Sequence, residues 1–406
     1  MDNNNLMPEI RFKGFTDAWV QRKLGEVTTK IGSGKTPRGG NSVYLEEGVP
    51  LLRSQNVANN TVDLTDVVFI SEATDEEMAN SRVKHQDVLL NITGASIGRS
   101  AVYEHTGNAN VNQHVCIIRP STGANPCFIQ LNLTSANGQQ QIDNNQAGGG
   151  REGINFQQIA KITFAFPSEA EQTAIGTFFR TLDKAITLNQ RKLEGLRELK
   201  KGYFQLMFPQ TDERAPRVRF AGFGGEWQTR RLCDIAEFNP RLVLPDLFEY
   251  VDLESVIGTT LLSHRTERKD TAPSRAQRLA KKGDVFFQTV RPYQQNNYLF
   301  ELDFDNFVFS TGYAQLRPNI DSYFLLCILQ EEKFVLKVLD NCTGTSYPAI
   351  NSTDLAGIGI VIPVDFAEQI ILGRFFRTLD NQITSLTQKA ERLKALKLAY
   401  LQKMFV

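Results

Sequence analysis

The sequence predicts an α+β protein in which two tandem-duplicated globular domains are separated by an antiparallel two-helix coiled coil. Three observations carry this. A long amphipathic segment occurs twice, as FFRTLDKAITLNQRKLEGLRELKKGYFQLMF from Phe178 to Phe208 and as FFRTLDNQITSLTQKAERLKALKLAYLQKMF from Phe375 to Phe405. Shorter words precede each copy in the same order. Between those words lie short β-rich runs bounded by Gly, Asn, Asp and Pro, with helical stretches among them.

The words can be taken in order. PEIRFKGFTDAWVQRKLGEV (Pro8 to Val27) answers PRVRFAGFGGEWQTRRLCDI (Pro216 to Ile235). DVLLNITGASIGRSAVY (Asp87 to Tyr103) lines up with DVFFQTVRPYQQNNYLF (Asp284 to Phe300), and Pro120 with Pro318. INFQQIAKITFAFP (Ile154 to Pro167) matches INSTDLAGIGIVIP (Ile350 to Pro363), and both lead through Glu171-Gln172 or Glu368-Gln369 into the long segment. Runs such as DVLLNI, GDVFFQTV and FVFSTGYAQL read as strands, and CFIQLNLTSANGQQQI and SYFLLCILQEEKFVLKVL as helical stretches. The predicted bounds are 1–167 and 217–363 for the globular domains, 168–208 and 364–406 for the long helices, and 209–216 for a polar, Pro-bounded linker.

Each long segment holds one register. Leu182, Ile186, Asn189, Leu193, Leu196, Lys200, Tyr203 and Met207 alternate at spacings of four and three, as do Leu379, Ile383, Leu386, Ala390, Leu393, Lys397, Tyr400 and Met404. That is a coiled-coil seam of nearly four heptads. Asn189, Lys200 and Lys397 interrupt it as devices that set register, with Leu199 and Leu396 expected to share the seam beside the lysines. Such a stripe needs a partner, and the best one available is the other copy. At about 1.5 Å per residue, roughly 34 residues would span about 50 Å, so antiparallel pairing would make a rod with a domain at each end.

The 406 residues carry no net charge, so composition alone says nothing for nucleic acid. The distribution says more. Eight Lys and Arg side chains lie from Arg265 to Arg291 against Glu267, Asp270 and Asp284, and Lys30, Lys35 and Arg38 stand in an acid-free stretch. Such patches fit either contact with phosphate at chosen places or ordinary solvated faces. The five cysteines are scattered without a C-x-x-C pair, which argues for reduced thiols and against a cysteine zinc site. The opening MDNNNLMPEI has neither the basic nor the apolar region of a signal peptide, and no apolar run is long enough for a membrane span. A cytoplasmic protein is expected.

Motifs for chemistry fail on inspection. GSGKT (Gly32 to Thr36) would need a glycine where Thr29 stands, and Pro37 interferes with the helix that a phosphate loop must open. FAGFG (Phe220 to Gly224) does not keep its second glycine in the other repeat, and FNPR (Phe238 to Arg241) falls short of an amino-methyltransferase motif. The four histidines show no metal spacing, so no catalytic and no metal-ligating residues are predicted.

The paired words RFKGFTDAW and RFAGFGGEW, GSGKTP and GDVFF within the domains, and P-S-E-A-E-Q and P-V-D-F-A-E-Q before FFRTLD resemble the specificity subunits of type I restriction–modification systems. The resemblance covers almost the whole chain. It implies two target-recognition domains, each reading half of an asymmetric bipartite site in double-stranded DNA, with helices that set the separation. It also implies methyltransferase subunits, two in number, and restriction motor-nuclease subunits as partners. S-adenosylmethionine, ATP and Mg then belong to those partners, and this chain holds no cofactor and no active site. The alternative reading is a coiled-coil scaffold that binds two proteins and no DNA.

Polar and basic residues at loop edges are the candidate DNA contacts. In the first domain these are Lys35, Thr36, Arg38, Arg53, Ser54, Gln55, Asn56, Asn91, Thr93, Ser96, Asn112, Gln113, His114 and Arg151. In the second they are Arg268, Lys269, Arg275, Arg278, Gln288, Thr289, Arg291, Tyr293, Gln294, Gln295, Asn296, Thr345, Ser346 and Tyr347. Asn and Gln can pair with adenine and Arg with guanine, whereas Lys mostly anchors phosphate. The position of GSGKTP reads FNPRLVLPD in the second half, as expected of domains that read different sequences.

Overall fold

The computed structural model describes residues 6–58, 60–146, 153–210, 213–344 and 347–406. Arg151, Thr345 and Ser346 lie outside the described residues. The chain forms two compact units, residues 1–190 with 389–406 and residues 191–388. The second is a continuous stretch and the first is not, and each long helix begins in one unit and ends in the other. The helices are α1 (Glu169–Met207) and α2 (Phe366–Lys403).

Both units have the same strand order. In the first, Thr28–Ser33, Val115–Pro120, Val88–Asn91 and Ser100–Val102 make one antiparallel sheet. A second sheet runs Val68–Ile70, Val49–Leu52, Ala109–Val111 and Arg82–Val83, with its central pair parallel. The second unit repeats this. Ala236–Phe238, Tyr313–Pro318, Val285–Gln288 and Tyr298–Leu299 form the antiparallel sheet. Arg265–Arg268, Leu247–Val251, Phe307–Ser310 and Ala276–Leu279 form the other, again with a parallel central pair.

FVFSTGYAQL, one β-rich run in the sequence, is therefore two strands in different sheets. The chain crosses between them at Gly312, where a Cβ would lie 2.8 Å from Leu253. The glycine of GSGKT has a similar explanation, since a Cβ on Gly34 would overlap the carbonyl oxygen of Val111. The helical stretches also divide. CFIQLNLTSANGQQQI gives Pro126–Thr134 and Ala136–Asn144, broken where the extended Ser135 caps the second helix through Gly138 N. The other gives Ser322–Leu329 and Glu332–Asp340. At Ser135 a short polar side chain that bonds to backbone competes with continued helix and wins.

The repeated words now have contacts. Arg11 closes on Glu171 in the first turn of α1 with two 2.7 Å hydrogen bonds, and Arg219 closes on Glu368 of α2 at 2.6 and 2.7 Å. Both glutamates are 1% exposed. Gln172 and Gln369 donate to the carbonyls of Pro167 and Pro363, each at 3.0 Å. Phe12 packs edge-on against Phe178 as Phe220 does against Phe375. RF and E-Q are thus the two sides of one joint between globular domain and helix.

Within each unit the two helices run antiparallel. In the first, Phe178 meets Tyr400 and Lys397 pairs with Asp183 at 2.5 Å. In the second, Tyr203 meets Phe375 and Lys200 pairs with Asp380 at 2.5 Å. All the seam residues named from the sequence are buried or half-buried. Leu199 and Leu396 do not share the seam, contrary to expectation, and stand 45% and 43% exposed. The seam lysines turn inward to reach a carboxylate, which leaves the adjacent leucines on the outer face. Asn189 donates to its own helix at Ala185 O, so its amide is spent locally. Each helix ends in a core: Met404 and Phe405 pack with Trp19 and Phe128, Met207 and Phe208 with Trp227 and Phe324. Among the described residues no helix is long and apolar enough to cross a membrane.

Glu171→Gln leaves the Arg11 guanidinium half-satisfied and largely buried, and Glu368→Gln does the same for Arg219. Each should cost about 3 kcal/mol in urea unfolding, whereas Glu391→Gln, an exposed control, should cost under about 0.5 kcal/mol. Separately, burial outweighs Lys333 and pushes the Glu331 carboxyl from 4.5 up to about 7. The folded chain therefore holds a proton that the unfolded chain has released. This contribution is complete below about 4.5 and is lost as pH rises through about 7. Glu331→Gln should remove a fall in stability of up to about 3 kcal/mol across that window, read from unfolding at pH 5 and pH 8.

Candidate nucleic-acid interface

The register of the sheets gathers most of the first-unit candidates at one corner. Thr36 bonds to the Gln113 side chain. Gln113 Nε2 lies 3.0 Å from His114 Nε2, and His114 Nδ1 lies 2.6 Å from Thr93 Oγ1. Three segments distant in sequence are thus one hydrogen-bonded chain. Backbone bonds from Ile92 N to His114 O and from Asn112 N to Leu52 O hold the loops in place. Lys35 and Arg38 are exposed beside this network, and Ser96 closes a short turn with Gly94.

Several candidates turn out to be positioning groups. Asn91 is fully buried and donates to Ser54 O at 2.8 Å and Val57 O at 3.1 Å. Asn56 is buried with its amide on Asp63 O and Asp66 O, and Asn112 accepts from His114 N. These side chains are consumed in shaping the turn that carries Arg53, Ser54 and Gln55, and the loop that carries Gln113. Gln55 is itself tied to Asp66 at 2.6 Å, and Arg53 to the carbonyl of Asp66 at 3.3 Å.

The corresponding corner of the second unit repeats, among its own bonds, the one from Ile92 N to His114 O and the one from Ile154 N to Ile92 O. Thr289 N donates to Gly312 O, Ile350 N to Thr289 O, Arg291 N to Pro348 O and Thr311 N to Arg275 O. These set Arg275, Arg291 and Tyr347 around one edge, with Tyr293 and Gln294 exposed on the loop between. Thr311, absent from the sequence-derived set, belongs to this corner because the strands cross sheets there. Gln288 and Thr289 are buried, donating to Val290 O and Gln294 Oε1, and to Gly312 O. Gln295 exchanges hydrogen bonds with Gln330, and Asn296 accepts from Gly258 N.

The basic run from Arg265 to Arg291 is not one patch. Arg265 is neutralised by Asp252 and Glu267, Arg268 pairs with Asp270 and Lys282 with Asp303. Strand register sets Arg268 opposite Leu247, at the far end of its sheet from Ala276 and Ser310, so Arg268 and Lys269 are not gathered with Arg275. Arg278 is half-buried, its Nε makes no hydrogen bond, and burial lowers its pKa. Arg275 is exposed and has no carboxylate partner among the described residues. Among those residues no group of His, Cys, Asp and Glu could hold a metal ion.

Known proteins share this architecture. A family described as the type I restriction modification DNA specificity domain matches residues 16–198 and 224–395. The HindI type I restriction enzyme specificity subunit of Haemophilus influenzae is 26% identical over 196 residues, which are 45% of this chain and 41% of that protein. The match thus spans less than half of that relative. A protein of Methanocaldococcus jannaschii, named for the specificity subunit of a type I enzyme MjaX, is 20% identical over 411 residues, covering 93% of this chain and 91% of its own. The crystal structure of a type I restriction–modification S subunit from M. genitalium superposes with a TM-score of 0.66 at 15% identity, covering 98% of this chain and 99% of that one. That structure shares the fold. With the family matched in both halves, around both corners and along both helices, the chain belongs to the type I restriction–modification DNA specificity family.

Proposed function

We propose that this chain is the non-catalytic specificity subunit of a type I restriction–modification complex, reading an asymmetric bipartite site in double-stranded DNA. The observation that carries the reading is the corner: the two units share strand order and loop-anchoring backbone bonds there, yet display different side chains. Thr36, Thr93, Gln113 and His114 stand in the first unit, Arg275, Arg291, Tyr293 and Tyr347 in the second. Duplicated backbone with diverged side chains suits two readers of different sequences, because phosphate contacts position a protein while base contacts specify. Residues 1–167 and 217–363 act as the target-recognition domains, joined by spacer helices 168–208 and 364–406 and the linker 209–216. Two linked readers gain affinity only where both half-sites lie at the matching distance.

The partners are two methyltransferase subunits and the restriction motor-nuclease subunits, on which S-adenosylmethionine, Mg and ATP act. Leu199 and Leu396, exposed at equivalent points of the two helices, suit a partner present in two copies.

Exchanging residues 1–167 for those of a relative should change one half of the motif methylated by the assembled complex and leave the other half alone. A change in both halves would mean that the recognition surface is shared. Arg275→Glu should weaken DNA binding and reduce the slope of log affinity against log salt by about one or more, as for loss of a phosphate contact. Titration at several salt concentrations measures it, and an unchanged slope would make Arg275 a solvated side chain.

A further inference from the structure

The loop after Val285–Gln288 contains a conformational oddity that its repeat explains. In the first unit the same loop turns through two left-handed positions, and both are glycines: Gly94 (φ +68°) and Gly98 (φ +85°). In the second unit those positions are Arg291 (φ +54°) and Gln295 (φ +54°), with the left-handed backbone retained. Side chains with a Cβ rarely adopt this region, and the following Pro292 makes it less favourable still at Arg291. Glycine is the unstrained choice, and the second unit lacks it twice.

The two exceptions differ in what their side chains do. Gln295 exchanges hydrogen bonds with Gln330, at 3.1 and 2.9 Å, and so anchors the loop to the helix Ser322–Leu329. Its strain has an internal reason. The Arg291 side chain makes no hydrogen bond and no ion pair among the described residues. Its guanidinium instead lies 4.5 Å from the ring centre of Tyr347, a residue that is 65% exposed. Stacking on an aromatic face fixes the plane of the fork while leaving its N–H edges free. The bond from Arg291 N to Pro348 O holds stack and loop together.

We infer that Arg291 is a specificity-determining residue of the second half, presenting its fork to the O6 and N7 of one guanine in the major groove. This rests on the DNA-reading function proposed above. A planar, pre-oriented donor pair matches guanine. The repeat decides against a phosphate anchor: two domains that read different sequences can share their phosphate contacts but must differ in base contacts. Arg291 stands where the first unit has Gly94, with open space around the point a Cβ would occupy. Strain retained for a side chain with no hydrogen bond or ion pair among the described residues marks a contact outside the fold.

The test uses the full chain assembled with its methyltransferase subunits, with the methylated motif as readout. Wild type should require one guanine in the half-site that survives exchange of residues 1–167. Arg291→Gly, which relieves the backbone, should keep the thermal midpoint and the first half-site while discrimination at that guanine falls by roughly 10- to 100-fold. Arg291→Lys, with charge but no fork, should lose most of the same discrimination. Unchanged discrimination in Arg291→Gly, or a wild-type half-site without guanine, would overturn the assignment. So would uniform weakening at every base with a smaller salt slope, the signature of a phosphate anchor. A wild-type assembly that methylates no bipartite motif would remove the underlying reading as well.

Discussion

A guanidinium closed on a buried carboxylate at the first turn of each long helix is the joint on which the structure depends. Arg11 and Arg219 come from the opening segments of the globular domains, while Glu171 and Glu368 follow the domains. The pair therefore clasps the domain where the chain enters and leaves, at the helix end whose dipole favours a negative charge. Buried ion pairs give little net stability compared with apolar replacements, but losing one partner is costly. What the pair supplies is orientation. The direction of the helix is tied to the domain by two hydrogen bonds in fixed geometry.

From that joint the helices run antiparallel within each unit, and charge again marks the level. Lys397 reaches Asp183, and Lys200 reaches Asp380. In an apolar seam a lone lysine is satisfied only where a carboxylate faces it, so slipping by a turn would strand it. The cores make the same demand at the ends, where Phe405 and Phe208 each fill a space beside a tryptophan. The helix of one repeat thereby completes the core of the other. The compact units consequently cut across the order of the sequence.

The corners show how one backbone holds two identities. Thr289 and Ile92 are anchored alike, and the crossing strands leave their sheets at the same place. Buried amides such as Asn91 and Gln288 support the loops from behind, freeing the exposed positions to vary. Variation extends to the backbone cost itself, since the second unit accepts left-handed Arg291 where the first has glycine.

Much of this was legible in the sequence. Whereas the facing of the RF and E-Q words across one joint is a tertiary contact, order of words established the duplication, and period established the helices and their seam. Patterns of that kind are local or repeat at fixed spacing, and the hydrophobic effect reads them directly. The candidate site was legible only as a collection. Nothing local distinguishes Asn91, consumed by backbone carbonyls, from Gln113, exposed at the corner. Nor does the basic run reveal that Arg265, Arg268 and Lys282 are neutralised while Arg275 is not. Those outcomes depend on strand register and on which segments cross between sheets. Both are decided by packing among residues far apart in the chain. Leu199 gives the same lesson: its neighbour Lys200 took the seam because Asp380, nearly two hundred residues away, faces it, and only the tertiary structure brings that carboxylate there.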